Sequence, residues 1–193
     1  MTPAVALLRG VGQVSRSGPA EDAGPVQAFE LRTATAADTD AIHALIDEYR
    51  GEGHLLPRTL EEIRVHAHRF VVAAAGDAVI GCVDLAPLSR TVAEVRSLVV
   101  AAAARRAGVG HELIDDLVRR AGGAGFAKLC AFTHAPAYFV ELGFSIVPHV
   151  WLPEKIQADC RSCAQFRVCG QYAVMLPLAR SRHSCVPLAS LHG

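Results

Sequence analysis

Arg105, Arg106, Gly108 and Gly110 are the residues of this chain whose types and spacing most directly imply chemistry. Two guanidinium groups stand beside two residues that lack a Cβ, so an anion can come close to the main chain inside a positive surround. The stretch Arg105-Arg106-Ala107-Gly108-Val109-Gly110-His111 follows an alternating segment, Ala93 to Val100, and opens an amphipathic one. In the latter, Val109, Leu113, Leu117 and Ala121 fall on one helical stripe. Strand, glycine-bearing turn and helix N-terminus together make a phosphate cradle. The first amides of a helix have no intrahelical acceptor, and the helix dipole adds partial positive charge. The spacing differs from other phosphate loops, since the chain has no G-x-G-x-x-G and no G-K-[ST].

The elements that must hold this turn are legible from periodicity. Phe29 to Thr33 alternates as a first strand. Thr35-Ala36-Ala37-Asp38 matches a capping box, and Ile42, Leu45, Ile46 and Tyr49 form the stripe of the helix it opens, ending near Gly51. Gly51 to Pro57 is a loop. Thr59-Leu60-Glu61-Glu62 is a second capping box, opening a short helix that reaches about Ala67. Phe70 to Ala73 and Val79 to Val83 read as strands joined at Gly76-Asp77, and a further strand runs from about Val92 to Val100. Period two puts Glu94, Arg96 and Leu98 on one face of that strand. Lys128 to Thr133 is a buried strand, and Pro136 starts a short helix that Gly143 stops. Phe144 to Val147 and Gln171 to Leu176 are the last strands. The predicted order is β-α-α-β-β-β-α-β-α-β-β, a mixed sheet covered by helices.

At 193 residues the chain predicts one domain over residues 28–179, between a disordered leader, 1–27, and a disordered tail, 180–193. Lys and Arg number 19 and Asp and Glu 19, so neither nucleic acid nor an anionic membrane is an expected partner. No apolar run approaches the roughly 20 residues of a membrane span. Six cysteines do not form a dense disulfide framework, which fits a reduced, cytoplasmic setting. Cys160, Cys163 and Cys169 form C-x2-C-x5-C, with His149 as a further ligand for a zinc reading. Structural zinc takes four ligands in paired spacing, so no metal is expected. Cys160 and Cys163 also read as a redox-sensitive pair.

The turn resembles the acetyl-CoA pyrophosphate loop of the GNAT superfamily of acyltransferases, [RQ]-x-x-G-x-[GA], with Arg105, Gly108 and Gly110 at its three defining positions. Phe139-Val140-Glu141-Leu142-Gly143-Phe144 is similar to that family's F-Y-x-x-x-G-F segment. Leu55 to Arg58, Ala93 to Leu98, and Leu152 to Ile156 followed by Asp159-Cys160 look like the short, single-domain N-acetylglutamate synthases. The resemblance implies an α/β (α+β) fold with a mixed, mostly antiparallel sheet, a splayed fourth and fifth strand pair, and helices on both faces. It implies acetyl-CoA as co-substrate, held by Leu98, Val99, Val100, Arg105, Arg106, Ala107, Gly108, Val109, Gly110, His111 and Phe139. It also implies transfer of acetyl to the α-amine of L-glutamate, the first step towards arginine, and a homodimer by analogy.

Roles follow from the same resemblance. The amide of Leu98 or Val99 would meet the negative charge that grows on the thioester oxygen. Glu94 stands where many such enzymes place a base, with a surface ion pair to Arg96 or Arg90 as the plainer reading. Arg58 and Arg96 suit the carboxylates of an acidic acceptor, because guanidinium groups bind carboxylates bidentately. The plainer readings are a solvated charge for Arg58 and an ion pair with Glu94 for Arg96. Thr133 is a weak substrate contact, and His54 and His134 are candidates for proton transfer. Phe139 replaces the tyrosine that protonates the leaving thiolate, and the neighbouring Tyr138 points about 100° away on a helix. A different small-amine acceptor, such as glutamine, and a non-catalytic acyl-CoA or amino-acid sensor both stay open at this point.

Overall fold

The computed structural model describes residues 28–50, 57–164 and 166–178. The predicted leader, the tail and most of the loop after the first helix, with His54, lie outside the described residues. The first strand, β1 (Glu30–Thr33), leads into a single 3-10 turn and then α1 (Thr39–Arg50). The entry is fixed as the sequence implies. The amide and hydroxyl of Thr35 both donate to Asp38, at 2.7 and 2.9 Å, and the Arg32 guanidinium grips the same carboxylate at 2.7 and 2.8 Å. Ile42, Leu45, Ile46 and Tyr49 are all buried, which is the predicted stripe.

A second capping box, with the Thr59 amide donating to Glu62 at 2.8 Å, opens α2 (Leu60–Val65). That helix is shorter than predicted. His66 leaves helical geometry, with ψ at 17°, and a 3-10 turn over Ala67–Arg69 carries the chain into β2 (Phe70–Ala75). β3 (Ala78–Pro87), β4 (Val92–Val100), α3 (Val109–Gly123), β5 (Lys128–Thr133), α4 (Pro136–Glu141) and β6 (Ser145–Val147) follow in the predicted order. The helix α5 (Pro153–Ala158), which was not predicted, and the 3-10 turn at His149–Trp151 before it come between β6 and β7 (Tyr172–Pro177).

The seven strands form one sheet in the order β1-β2-β3-β4-β5-β7-β6, antiparallel except for the β4–β5 pair. Its two faces are covered separately. Val109, Leu113, Leu117 and Ala121 of α3 pack with Phe139 and Phe144 on one face, against Val71, Val83, Ala93, Val95 and Leu129. Gly81 lets α3 come this close, because a Cβ there would stand 3.2 Å from both Leu113 and Val109. On the other face α1 and α2 cover Val72, Cys82 and Val99, and Leu152, just before α5, covers Val92, Cys130 and Ala173.

Asp38 is the charged hinge of the α1 entry, and its loss is expected to be costly. Arg32's hydrogen bond outweighs burial and holds the Asp38 carboxyl well below the usual carboxylate range. The stabilisation is therefore complete above the unfolded value of about 3.9 and is lost as pH falls through the lower folded value. Asp38→Asn should cost about 1–2 kcal/mol at neutral pH. Urea unfolding at pH 7 and again below pH 4 should show the gap to wild type narrowing in acid.

Candidate active site

The site begins with one surplus residue in β4. From Cys82 to Asp84, β3 advances two residues, while its partners in β4 run from Val99 back to Arg96, three residues. The surplus residue is Ser97, held at φ 51°, and it makes a β-bulge. The expectation that Glu94, Arg96 and Leu98 share a face is corrected here. Alternation holds up to Arg96, but the bulge resets it, so Leu98 packs with the α3-side core and Val99 with the α1-side core. The bulge also parts the strands. β4 pairs with β5 only over Val92–Glu94, and beyond that the two diverge around a cleft of about 950 Å³.

Main-chain groups line the cleft on its β4 side. The amide of Ala101 donates to Ile80 of β3, so alternation turns the amides of Val100 and Leu98 away from β3 and towards the cleft. The turn beyond β4 then takes two left-handed conformations, Arg106 at φ 67° and Gly108 at φ 82°, and Gly108 caps α3. Such alternating backbone aims successive N–H groups into one concavity, and the first turn of α3 supplies more. Tyr49 of α1 anchors the turn. Its hydroxyl accepts from the Ala102 amide at 2.7 Å, and its ring carries the Arg105 guanidinium 4.5 Å from its centre. Arg105 also donates to the Val100 carbonyl at 3.3 Å. Arg106, Gly108, Gly110 and His111 line the same cleft. A Cβ on Gly110 would lie 2.7 Å from the Tyr138 hydroxyl, whose oxygen is buried with no hydrogen-bond partner among the described residues.

Charged side chains gather at the other end. Asp84, fully buried on β3, accepts from Arg58 at 2.6 Å and from Arg69 at 3.1 Å through both Nε and Nη2. Glu94 is buried as well, and its carboxylate meets Arg96 Nε at 2.5 Å and Lys155 Nζ at 2.7 Å. Arg96 Nη2 and Lys155 Nζ converge on Asp159, the latter at 2.8 Å, and Lys155 lies 5.3 Å from the centre of the Phe132 ring. Burial opposes the Arg96 charge, but Glu94, Asp159 and Asp84 nearby outweigh it and raise its pKa. Among the described residues, four cations (Arg58, Arg69, Arg96, Lys155) meet three carboxylates (Asp84, Glu94, Asp159) in ion pairs, and a fourth carboxylate, Glu62, lines the same cleft and feels the charge of Arg58.

The structure brings Glu94, Arg96, Arg58, Thr133 and the 105–111 turn around one cleft. Glu94 is no surface carboxylate, since bulky cover and two cations enclose it. Arg58 is not a solvated charge, because Asp84 holds it, and its buried Nε has no hydrogen-bond partner among the described residues. The Thr133 hydroxyl accepts from the Ala135 amide at 3.0 Å at the entry to α4. Phe139 is a core residue, edge-on to Tyr138 and Phe144, with only its margin on the cleft. His134 borders the cleft. His149 packs against Phe132, 5.3 Å between ring centres. Among the described residues no group of three or more His, Cys, Asp or Glu side chains is placed to hold a metal ion. Cys160, Cys163 and Cys169 are free thiols beyond Asp159.

Sequence reasoning missed Asp84, Arg69, Lys155 and Asp159 as site residues. Asp84 carried a signal, an acid inside an apolar strand, which demands a buried cation. Lys155 and Asp159 carried another, the i, i+4 spacing that stacks two side chains on one helical face.

Comparison with known proteins agrees with this geometry. Residues 38–144 match the acetyltransferase (GNAT) family. An uncharacterized N-acetyltransferase of Chlorobaculum tepidum is 31% identical over 148 residues, covering 77% of this chain and 96% of that protein. An amino-acid acetyltransferase of Neisseria meningitidis is 30% identical over 134 residues, 68% of this chain but only 31% of its own length. The crystal structure of N-acetylglutamate synthase from Neisseria gonorrhoeae, complexed with coenzyme A and N-acetyl-glutamate, superposes with a TM-score of 0.72 at 26% identity. That match covers 79% of this chain and 36% of the Neisseria gonorrhoeae chain, so the chain spans about a third of the length of the Neisseria proteins.

Asp84 is the ion-pair partner of two partly buried arginines, which fixes what its removal does. Asp84→Asn should lower the unfolding free energy by about 3 kcal/mol, because it leaves two guanidinium charges without their partner. Chemical denaturation of the variant beside wild type measures this.

Proposed function

The chain belongs to the acetyltransferase (GNAT) family, and on that premise we propose that it transfers the acetyl group of acetyl-CoA to the α-amine of L-glutamate. The observation that carries this reading is a single cleft whose two ends differ in kind. One end offers main-chain amides and arginines at residues 105–111, and the other offers Arg58, Arg96 and Lys155. The first suits the diphosphate of acetyl-CoA. The second suits a small acceptor rich in carboxylate, whereas a cationic acceptor such as a polyamine would meet Arg58, Arg96 and Lys155. The Neisseria enzyme with N-acetyl-glutamate bound supports the same choice.

The chemistry asked of the site is modest. The acceptor ammonium must lose a proton before its nitrogen can attack the thioester carbonyl. Glu94 is the proposed proton acceptor, acting through water, because both its oxygens already serve Lys155 and Arg96. As the carbonyl becomes tetrahedral, its oxygen gains negative charge, which the cleft-facing amide of Leu98 receives without reorganisation. Val99, whose side chain lies in the opposite core, is the weaker candidate. Collapse expels the CoA thiolate. An ordinary thiol pKa near 8.5 lets it leave as the anion and take up, by way of water, the proton that the attacking nitrogen sheds on collapse. Thr133 and His134 border the path between the two ends. By the same resemblance, the product would enter arginine synthesis in the cytoplasm.

Thiol release from acetyl-CoA by the purified chain, tested across the amino acids, decides the reading. Glutamate should give the highest kcat/KM, and Arg58→Ala should lower that value at least about tenfold. Turnover of another amine but not of glutamate would overturn the choice of acceptor. The cradle has its own check. Gly110→Ala puts a methyl group against the Tyr138 hydroxyl and should weaken acetyl-CoA binding about tenfold, and adding Tyr138→Phe should restore most of it.

A further inference from the structure

Among the three carboxylates at the acceptor end, Asp159 is the exposed one. Its side chain is 40% exposed, against 3% for Glu94 and 0% for Asp84. It nonetheless takes up the cations that an incoming carboxylate would need. One oxygen, Oδ2, accepts from Lys155 at 2.8 Å and also from Arg96. Burial works against its charge, but the Lys155 hydrogen bond and the charges of Lys155, Arg96 and Arg58 outweigh that and hold its carboxyl below the ordinary range. Lys155, Arg96 and Arg58 therefore all act on one half-exposed group of the protein's own chain.

Little packing fixes that group in place. Asp159 ends α5 outside helical geometry, at φ −128° and ψ −40°. The chain then passes through single 3-10 turns at Cys160–Ser162 and Phe166–Val168, where the described residues from 161 onwards are exposed. Glu94 and Asp84, in contrast, stand on interior strands of the sheet and are covered. Release of Asp159 would leave Arg96 and Lys155 sharing Glu94 alone, two cations on one carboxylate, which is the deficit that an entering carboxylate fills.

We propose that Asp159 is a displaceable stand-in for the side-chain carboxylate of a dicarboxylic acceptor, and that Lys155 and Arg96 are the cations it hands over. The acceptor's carboxylate replaces it like for like. A neutral amide in the same position cannot, because it would leave Lys155 and Arg96 with a charge deficit. Lys155 and Asp159 thus set specificity for an acidic over an amide side chain. This rests on the acyl-transfer reading only for the location of the acceptor.

Glutarate, with two carboxylates and no amine, tests the idea without turnover, and its monoamide supplies the contrast. In calorimetry on the full chain, glutarate should bind at least about tenfold more tightly than the monoamide. Asp159→Asn should tighten glutarate about fivefold, Asp159→Ala should act in the same direction, and Lys155→Met should weaken it about tenfold. In turnover, Asp159→Asn should lower KM for glutamate. Weaker or unchanged glutarate binding by both Asp159 variants would overturn the proposal and make Asp159 a fixed brace for its cations. Equal binding of glutarate and monoamide by wild type would overturn it too. If glutarate follows the expected pattern while no amino acid is acetylated, the acyl-transfer reading fails and the displaceable carboxylate stands.

Discussion

One residue too many in β4 is the constraint on which the site depends. Ser97 has no counterpart in β3, and accommodating it takes a left-handed backbone at a residue with a Cβ. The sheet cannot continue flat past that point. β4 bends from β5 after Glu94, and the space between them becomes the cleft. The same insertion reverses the strand's alternation. Glu94 and Arg96 therefore face the α1 and α5 side, while Leu98 and Val100 face α3.

On the proposed reading, the two ends of the cleft meet different binding problems. A diphosphate is large, fully charged and must exchange every turnover, so exposed amides and surface arginines around a helix N-terminus suit it. Tyr49 makes that surface a shape: one α1 residue both anchors the Ala102 amide and seats Arg105. A small acceptor offers few atoms to recognise, so its end is built from buried charges whose positions are fixed by one another. Asp84 holds Arg58 and Arg69, and Glu94 holds Arg96 and Lys155. Carboxylates on the sheet thus serve as mounts for cations aimed into the cleft.

Much of this was legible in the sequence, and what was not has physical causes. Element order, both capping boxes and the α3 stripe follow from local periodicity, and the structure agrees. The turn at residues 105–111 was readable as a turn because its residues are contiguous. The bulge was not, since no residue type announces it: Ser97 sits in a strand pattern that looks regular, and period two misplaces Leu98. The α5 helix was missed because neither a capping box opens it nor a glycine stops it, the signals that marked the equally short α2 and α4. Lys155 and Asp159 escaped with it. Their meaning comes from Glu94 and Arg96, some 60 residues away in sequence, at separations |i−j| of 61 and 63. Asp84 is the instructive miss, because an acid in an apolar strand is itself a statement that cations lie above it.

A site whose charges are already paired binds by exchange rather than by addition. Every cation at the acceptor end has a carboxylate partner, so an entering ligand gains little from Coulomb attraction alone. It must replace a partner with an equal one, and whatever cannot do so leaves a partly buried charge uncompensated, which is costly in a low-dielectric cleft. Selectivity then comes from what the wrong acceptor fails to restore, not from extra contacts that the right one makes. The arrangement also keeps the empty site stable, because Lys155 and Arg96 never lack a counter-charge. Asp84 and Glu94, covered by the sheet and its helices, are the partners that stay. Only a partner carried on the thinly packed chain beyond α5 can leave without disturbing the core.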